Sequence, residues 1–294
     1  MSASAREAAT PRAAHLLTAT GPSRRGQVAA LCATVDRIGG YIEELDQYDD
    51  PDTQRFFARL RFHVPDTGFD AAELSAERTR LAEAYGLTVR LAAADRPVPV
   101  LILVSRLDHC LRDLLYRHAR GELSMTIAAI ASNHADLEPL AAQYGCRFVH
   151  LPVSRDTRGE QEAALQALVA ETGAELVILA RYMQILSDEM ALSLAGRAIN
   201  IHHSFLPGFK GAKPYHRAHA RGVKQIGATA HYVTPDLDEG PIIEQSVARV
   251  RHDDRVGDLI ATGRDCECRA LSHAVRMHIE SRVFINGERT LVFG

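Results

Sequence analysis

The sequence predicts an α/β protein with two domains, a small ferredoxin-like sandwich followed by a larger doubly wound, mostly parallel sheet. Two observations carry this prediction. Residues 13–94 contain elements in the order β-α-β-β-α-β, which is that of a split βαβ sandwich. From residue 98 onward, continuous apolar strands alternate with helices, which is typical of a parallel sheet covered on both faces. A chain of 294 residues has room for both cores.

Each element of the first domain follows from a local pattern. The helix at 26–38 carries apolar residues at helical spacing, including Leu31 and Val35, and two glycines follow it. The strand at 55–64 alternates apolar with polar residues. The complete prediction is strands at 15–20, 41–46, 55–64 and 87–93, with helices at 26–38 and 71–85. Residues 1–12 are expected to be a disordered tail.

The second domain begins after a linker at 95–97. Its strands read V-P-V-L-I-L-V and L-V-I-L-A, apolar throughout as in sheets buried on both faces. The predicted strands are 98–104, 125–132, 147–151 and 176–180, and the predicted helices are 107–118, 136–144, 160–172 and 256–281. The loop after the first strand, at 105–108, lacks the glycines of G-x-G-x-x-G, which argues against a dinucleotide-binding dehydrogenase.

Composition narrows the functional class. Hydrophobic residues make up 46% and charged residues 24% of the chain, as in a soluble globular protein. A net charge of −3 without a basic run predicts no nucleic-acid partner. No apolar stretch approaches the roughly 20 residues of a membrane helix, so no membrane partner is predicted. The five cysteines are scattered rather than arranged as a disulfide framework, which favours a cytoplasmic location.

The most informative stretch of the chain lies between residues 197 and 245. An apolar segment contains Asn200 and His202, which are separated by one residue. If the segment is a strand, their side chains lie on the same face. Asp238 follows in the turn-like sequence D-E-G-P. An amide, an imidazole and a carboxylate are the groups that polarise a carbonyl, stabilise its oxyanion and transfer a proton. The pattern indicates direct attack on an acyl carbon, without a serine or cysteine nucleophile.

The segments N-I-H-H-S-F-L-P, K-P-Y-H-R-A and L-D-E-G-P-I-I resemble the catalytic part of the folate-dependent formyltransferase family. The double histidine is most similar to one branch, the 10-formyltetrahydrofolate deformylases, because amine-formylating relatives usually carry proline where His203 stands. The resemblance implies hydrolysis of 10-formyltetrahydrofolate to formate and tetrahydrofolate, which would support one-carbon balance and purine synthesis. It implies a folate substrate and no permanently bound cofactor.

The resemblance also implies catalytic roles for Asn200, His202 and Asp238. The Asn200 amide would donate to the formyl oxygen as that oxygen becomes an oxyanion. His202 would stabilise the oxyanion as an imidazolium or accept a proton from water as a neutral imidazole, and the sequence leaves both open. Asp238 would orient or deprotonate the attacking water, with Asp236 and Glu239 as competing carboxylates in the same turn.

The segment A-R-Y-M-Q-I-L resembles the stretch whose backbone receives the pterin ring of the folate. Its apolar side chains would line a slot, although many relatives carry arginine where this chain has Gln184. Arg181, Lys210 and Lys213 are candidates for the carboxylates of the folate tail, or else solvated surface charges. The predicted substrate-binding residues are Met183, Gln184, Ile185, Leu186, His203, Asn133 and Gly240.

The loop at 105–108 bears on the acceptor of the formyl group. Relatives that formylate a phosphorylated amine have a glycine-rich phosphate cradle there, and its absence favours water as the acceptor. One alternative is formyl transfer to an amine, and another is a non-catalytic protein that senses folate or an amino acid.

His216 and His219 match H-x-x-H, but metal sites need three or four convergent ligands, so no metal is predicted.

The first domain, at 13–94, resembles an ACT module, which deformylases of this branch carry before the catalytic part, here 98–294. ACT modules often bind an amino acid near a D-x-x-G loop after the first strand, and the loop at 21–26 lacks that aspartate. Edge-to-edge oligomerisation is therefore favoured over binding of an amino-acid effector. A homodimer or homotetramer is expected.

Overall fold

The computed structural model describes residues 13–64, 71–208 and 214–294. The chain divides into two compact units, and the division falls between Arg96 and Pro97. Each unit has a sheet and a buried core of its own. The predicted tail at 1–12 lies outside the described residues.

The first unit is a four-stranded antiparallel sheet whose core lies between the strands and two helices. Its elements are β1 (Ala14–Pro22), α1 (Gln27–Arg37), β2 (Tyr41–Asp50), β3 (Arg55–His63), α2 (Ala71–Tyr85) and β4 (Thr88–Ala93). The strand order β2-β3-β1-β4 is that of the ferredoxin-like sandwich. Alternate residues of β1 and β3, such as Leu17 and Leu60, join one core with Leu31 and Leu81 of the helices. The predicted fold class is confirmed for this unit.

Strand β2 is longer than the predicted strand at 41–46. It continues to Asp50, which pairs with Arg55 of β3. The Asp50 carboxylate accepts from the backbone N–H of Asp52 at 3.0 Å and from the hydroxyl of Thr53 at 2.8 Å. These hydrogen bonds form the turn directly after the strand, so the side chain of Asp50 rather than hydrophobic alternation determines where β2 ends.

The second unit is a seven-stranded sheet with helices on both faces, followed by a two-stranded hairpin. Its strand order is β11-β10-β9-β8-β5-β6-β7, and the five strands β5 to β9 are parallel. Its elements are β5 (Val98–Val104), α3 (His109–Ala119), β6 (Met125–Ser132), α4 (Glu138–Gln143), β7 (Phe148–His150), α5 (Arg158–Thr172), β8 (Leu176–Leu179), α6 (Asp188–Ser193), β9 (Ala198–His202), α7 (Pro214–Arg221), β10 (Gln225–Tyr232), β11 (Ile242–Arg249), α8 (Val256–Ile279), β12 (Val283–Asn286) and β13 (Arg289–Val292). This sheet confirms the predicted doubly wound, mostly parallel architecture.

Strands β10 and β11 were not among the predicted elements, and they form the antiparallel end of the sheet. Strand β10 pairs with β9 so that Thr229 lies opposite His202 and His231 opposite Asn200. This register places residues of β10 directly beside Asn200 and His202, the two residues of the Asn-x-His motif. Within the described ranges, none of the helices combines the length and the apolar character that crossing a membrane requires.

Candidate active site

A cavity of about 630 Å³ opens where the parallel strands β8 and β9 end. In open α/β sheets, ligands bind at this edge, beyond the carboxyl ends of the strands. The cavity is lined by the segment after β8, by β9 and the histidine that follows it, by the β10–β11 connection, and by residues of α7 and α8.

The three predicted catalytic residues meet in this cavity. Asn200 and His202 lie two positions apart in β9, so their side chains leave the same face of the strand. Asp238 arrives from the β10–β11 connection, and its Oδ1 lies 3.2 Å from Nδ1 of His202. The other ring nitrogen of His202, Nε2, is buried and has no hydrogen-bond partner in the described part of the chain. Asp238 therefore orients the imidazole and leaves Nε2 for a ligand.

His231 is a fourth member of this group, which we did not predict from the sequence. Its Nδ1 donates to the carbonyl oxygen of Tyr232 at 2.8 Å, because a carbonyl can only accept. The Nε2 atom then accepts from the side-chain amide of Asn200 at 3.2 Å. His231 thus fixes the orientation of the Asn200 amide and leaves one amide hydrogen for a substrate oxygen. The only sequence signal was a polar residue within the apolar run of I-G-A-T-A-H-Y-V.

The Asp238 carboxylate is held in its ionised form. Burial raises the pKa of this group, but the hydrogen bond and the charge of His202 outweigh burial and place the pKa well below its usual range. Nε2 of His231 lies 3.7 Å from the same Oδ1 atom. An ionised carboxylate can accept hydrogen bonds only, which suits it to hold a histidine N–H or a water molecule.

Local backbone structure places Asp238 where it can reach His202. Asp238 has a φ of 57°, in the left-handed region, which aspartate and asparagine tolerate better than most residues. Two residues later, a Cβ on Gly240 would overlap the carbonyl oxygen of Tyr232. The chain therefore needs glycine at 240 to pass this close to β10. Gly240 is not among the residues that line the cavity, so the predicted substrate contact stays a prediction.

The predicted pterin-binding segment forms one wall of the cavity. Met183, Gln184, Ile185 and Leu186 all line it, and Met183 and Ile185 are more than half exposed although they are apolar. The backbone N–H of Met183 donates to the hydroxyl of Ser105 at 2.9 Å, which ties the segment to the end of β5. Exposed apolar side chains beside a polar group are typical of a small-molecule site.

Asn133, another predicted substrate contact, is not among the residues that line this cavity. It is buried, and its side-chain carbonyl accepts from the hydroxyl of Ser105 at 2.7 Å. The same hydroxyl accepts from the N–H of Met183. Asn133 therefore supports the pterin-binding wall through Ser105, and its contact with a substrate stays a prediction.

A second polar group lies against the same cavity and is centred on Glu267 of α8, which is 2% exposed. Its carboxylate is approached by Nε2 of His109 at 2.7 Å, by the hydroxyl of Tyr215 at 3.0 Å and by Nε of Arg181 at 3.2 Å. Burial raises the pKa of Glu267, but the hydrogen bond from His109 and the charge of Arg181 lower the pKa by more than burial raises it, so the group stays ionised. We call these four residues the Glu267 cluster.

The Glu267 cluster changes the interpretation of Arg181. The sequence made Arg181, Lys210 and Lys213 candidates for the folate tail or else solvated surface charges, and the two lysines lie outside the described residues. Arg181 is only 8% exposed and is ion-paired to a buried carboxylate, so the solvated alternative was wrong. The residues of the cluster lie far apart in the chain, and no spacing pattern could have joined them.

His109, Cys110 and Glu267 also place their ligand atoms within 4.8 Å of one another, which is close enough for a shared metal ion. The Glu267 carboxylate is already engaged by His109 and Tyr215, and a guanidinium lies beside it. A cation would therefore have to compete with Arg181 for the same carboxylate. The donor set fits an ion-paired cluster better than a metal centre.

His203 follows β9 and lines the cavity beside His202, with the two rings 5.0 Å apart. Burial lowers the pKa of His203 to about 4, and the positive charges of Arg181 and His202 act in the same direction. His203 is therefore neutral throughout the physiological pH range and can offer one donor and one acceptor to a ligand or to water.

The depressed pKa of His203 predicts a pH-dependent stability. Because the unfolded chain binds this proton near pH 6.5 and the folded chain only near pH 4, acidification between these values favours unfolding. The free energy of unfolding falls as the pH is lowered across this interval. We expect this fall to be smaller by roughly 2 kcal/mol in His203→Gln. Denaturant titrations at several pH values measure it, with the exposed His252→Gln as the control. An unchanged slope for His203→Gln would contradict the assignment.

Comparison with known proteins places this site in a family. A match to the family described as formyl transferase spans residues 98–275, which is more than half of the chain. A formyltetrahydrofolate deformylase of Corynebacterium sp. strain P-1 is 50% identical over 279 residues, which cover 95% of this chain and 97% of that protein. The chain belongs to the formyltransferase family, in its deformylase branch. The predicted family is thereby confirmed.

A deformylase of lower identity and two solved structures are also similar to this chain. The formyltetrahydrofolate deformylase of Escherichia coli K12 is 36% identical over 271 residues, covering 92% of this chain and 95% of that protein. The crystal structure of the deformylase from Burkholderia mallei has a TM-score of 0.92 and 54% identity, covering 97% of this chain and all of that one. A glycinamide ribonucleotide transformylase from Symbiobacterium toebii has a TM-score of 0.62 and 32% identity, but covers only 67% of this chain.

Proposed function

We propose that this protein hydrolyses 10-formyltetrahydrofolate to formate and tetrahydrofolate, with Asn200, His202 and Asp238 as its catalytic residues. The observation that carries the proposal is the contact of 3.2 Å between His202 and the ionised Asp238, beside an Asn200 amide that His231 orients. The deformylase relatives cover almost the whole chain, which supports the same reaction.

In the proposed mechanism, water attacks the formyl carbon directly. The amide of Asn200 and Nε2 of His202 donate to the formyl oxygen, and these hydrogen bonds strengthen as the oxygen gains charge. Asp238 accepts the proton that water loses and returns it to the folate nitrogen as the carbon–nitrogen bond breaks. The products are tetrahydrofolate and formic acid, which ionises to formate in solution.

The substrate contacts in this proposal follow the lining of the cavity. The backbone at Met183 to Leu186 would bind the donors and acceptors of the pterin ring, and the exposed side chains of Met183 and Ile185 would cover its apolar face. His203, neutral by virtue of its depressed pKa, would hold the attacking water as donor and acceptor. Asn133 and Gly240 remain predicted substrate contacts, and Asn133 would also support the pterin-binding wall through Ser105.

The hydrogen bonds of the polar side chains beside the catalytic residues support water as the acceptor of the formyl group. An amine acceptor needs room and polar contacts of its own in the cavity. The Ser105 hydroxyl, which could have met such a ligand, is already bonded to Asn133 and Met183. On the adjacent wall, the Glu267 carboxylate already accepts from His109 and Tyr215. Neither acceptor is left over for the hydrogens of an amine.

The test is to incubate the purified protein with 10-formyltetrahydrofolate and no amine, and to follow tetrahydrofolate and formate together. We expect equal release of both products. Turnover only after an amine is supplied would assign the protein to formyl transfer instead. Binding of the folate without any turnover would indicate the sensing protein.

For the first unit we propose oligomerisation through its sheet edges, giving a homodimer or homotetramer. Strand β2 is one edge of the sheet, and it exposes Tyr41, Leu45 and Tyr48. Exposed apolar residues on an edge strand favour pairing with another chain. Light scattering on the whole protein measures the oligomer, and an amino-acid titration tests the effector alternative. A cytoplasmic location fits the five free cysteines.

A further inference from the structure

Arg181 is a buried cation that the proposed reaction does not use. It follows β8, lines the cavity and is 8% exposed. Its φ is 64°, in the left-handed region, which is unfavourable for a residue other than glycine. Unfavourable backbone conformations of this kind concentrate at functional sites. The burial and the backbone together indicate that Arg181 has a task in the cavity.

Glu267 holds Arg181 by an ion pair only. Nε of the guanidinium lies 3.2 Å from Oε2 of Glu267, and Glu267 is itself held by His109 and Tyr215. Within the described residues, neither Nε of Arg181, which is buried, nor its terminal nitrogens have a hydrogen-bond partner. A buried guanidinium that is held by charge and keeps its hydrogens unpaired can bind a planar anion with two oxygens.

Other groups in the cavity also lack an acceptor. Nε2 of His202 is buried without a partner, and the Asn200 amide keeps one hydrogen beyond the one it gives to His231. The two carboxylates nearby, Asp238 and Glu267, are already paired. The Arg181 guanidinium and the Asn200 amide therefore offer donors to this cavity, which favours a ligand that brings acceptor oxygens and negative charge.

We propose that Arg181 is the carboxylate-binding residue of this cavity and that its ligand is the formate released by hydrolysis. The proposal rests on the proposed function, which supplies the carboxylate. Formate is small and planar, and its two oxygens match the fork of a guanidinium. Glu267 is then a positioning residue, because it acts on formate only through Arg181.

A second source of a carboxylate is the glutamate tail of the folate. Arg181 is buried beside Glu267, whereas the exposed Arg264 lines the same cavity from α8. A long, charged tail fits an exposed arginine better than a buried one, because its own charges stay solvated there. The buried position of Arg181 favours the small carboxylate.

The test is direct titration of the whole protein with sodium formate, against sodium chloride at the same ionic strength. Arg181→Gln should raise the dissociation constant of formate about tenfold, since it removes charge-assisted hydrogen bonds. Arg264→Gln makes the same chemical change in the same cavity and should leave that constant unchanged. Equal formate affinity in Arg181→Gln and the unsubstituted protein would overturn the proposal, as would an equal loss in Arg264→Gln.

Circular dichroism checks that each variant folds. If Arg181→Gln does not fold, Arg181→Lys carries the test, because it keeps the charge and loses only the fork. It should weaken formate binding about threefold, and an unchanged affinity would count against the proposal. Formate binding needs no turnover, so a failure of the protein to hydrolyse 10-formyltetrahydrofolate would refute the proposed function by a separate measurement.

A substrate without glutamate, 10-formyltetrahydropteroate, distinguishes the two carboxylates. If Arg181 binds formate, Arg181→Gln should change KM equally for this compound and for 10-formyltetrahydrofolate, and product inhibition by formate should weaken. A rise in KM confined to the glutamate-bearing substrate would show that Arg181 meets the tail, and the formate assignment would be wrong.

Discussion

Asp238→Asn is expected to lower kcat for deformylation about 1,000-fold and to leave KM nearly unchanged. The substitution removes the charge that faces Nδ1 of His202 at 3.2 Å and the group that accepts the proton of the attacking water. Asparagine also tolerates the left-handed φ of 57° at this position, so the backbone is preserved. The cavity wall that would receive the pterin is untouched, which is why KM should change little.

Asp236→Asn is the matched control for this prediction. Asp236 lies in the same turn, was a competing carboxylate in the sequence, and is exposed. It should retain kcat within about twofold, since surface substitutions away from a site have small effects. Steady-state kinetics of both variants give the result. Comparable losses of kcat in the two variants, or full activity in Asp238→Asn, would contradict the assignment of Asp238.

Gly240→Ala is expected to destabilise the folded protein by about 3 kcal/mol and to lower activity with it. A Cβ at this position would overlap the carbonyl oxygen of Tyr232, which is backbone and cannot rotate away. The N–H of Tyr232 also bonds to the carbonyl of Pro241 at 3.0 Å, so the two segments cannot separate without losing this contact. Relief of the overlap would move the β10–β11 connection, and with it Asp238.

Gly257→Ala is the control for this substitution. Gly257 lies in the first turn of α8, and a Cβ there would meet nothing within 4 Å. The change should leave stability the same or raise it by about 0.5 kcal/mol, because alanine favours the helix. Chemical denaturation of both variants measures the difference. Equal stability of Gly240→Ala and the unsubstituted protein would show that the connection can relax without cost.

The sequence predicted the elements of the first unit, and those of the second unit from β5 to β8 together with α8, from local patterns. Hydrophobic alternation in β3 and the apolar run of β5 depend on neighbouring residues only, so they can be recognised without the fold. The same holds for Asn200 and His202, whose spacing alone puts them on one face of a strand. The end of β2 was missed because a side-chain hydrogen bond from Asp50, rather than periodicity, determines it.

Contacts between distant parts of the chain could not be predicted in this way. His231 reaches Asn200 through the antiparallel register of β10 with β9, and a shift of one residue would turn it to the other face. Glu267 meets His109 across 158 positions of sequence. These pairings depend on how helices and strands pack, which no local pattern records.

The sequence by itself determined the fold class of both units, the family of the second and the three residue types of the proposed catalytic group. Only the tertiary structure decided that His231 orients Asn200 and that Arg181 is buried against Glu267. The physical reason is the number of residues over which each effect acts. Periodicity and motif spacing act over a few residues, whereas the position of a buried charge depends on all the elements that exclude water from it.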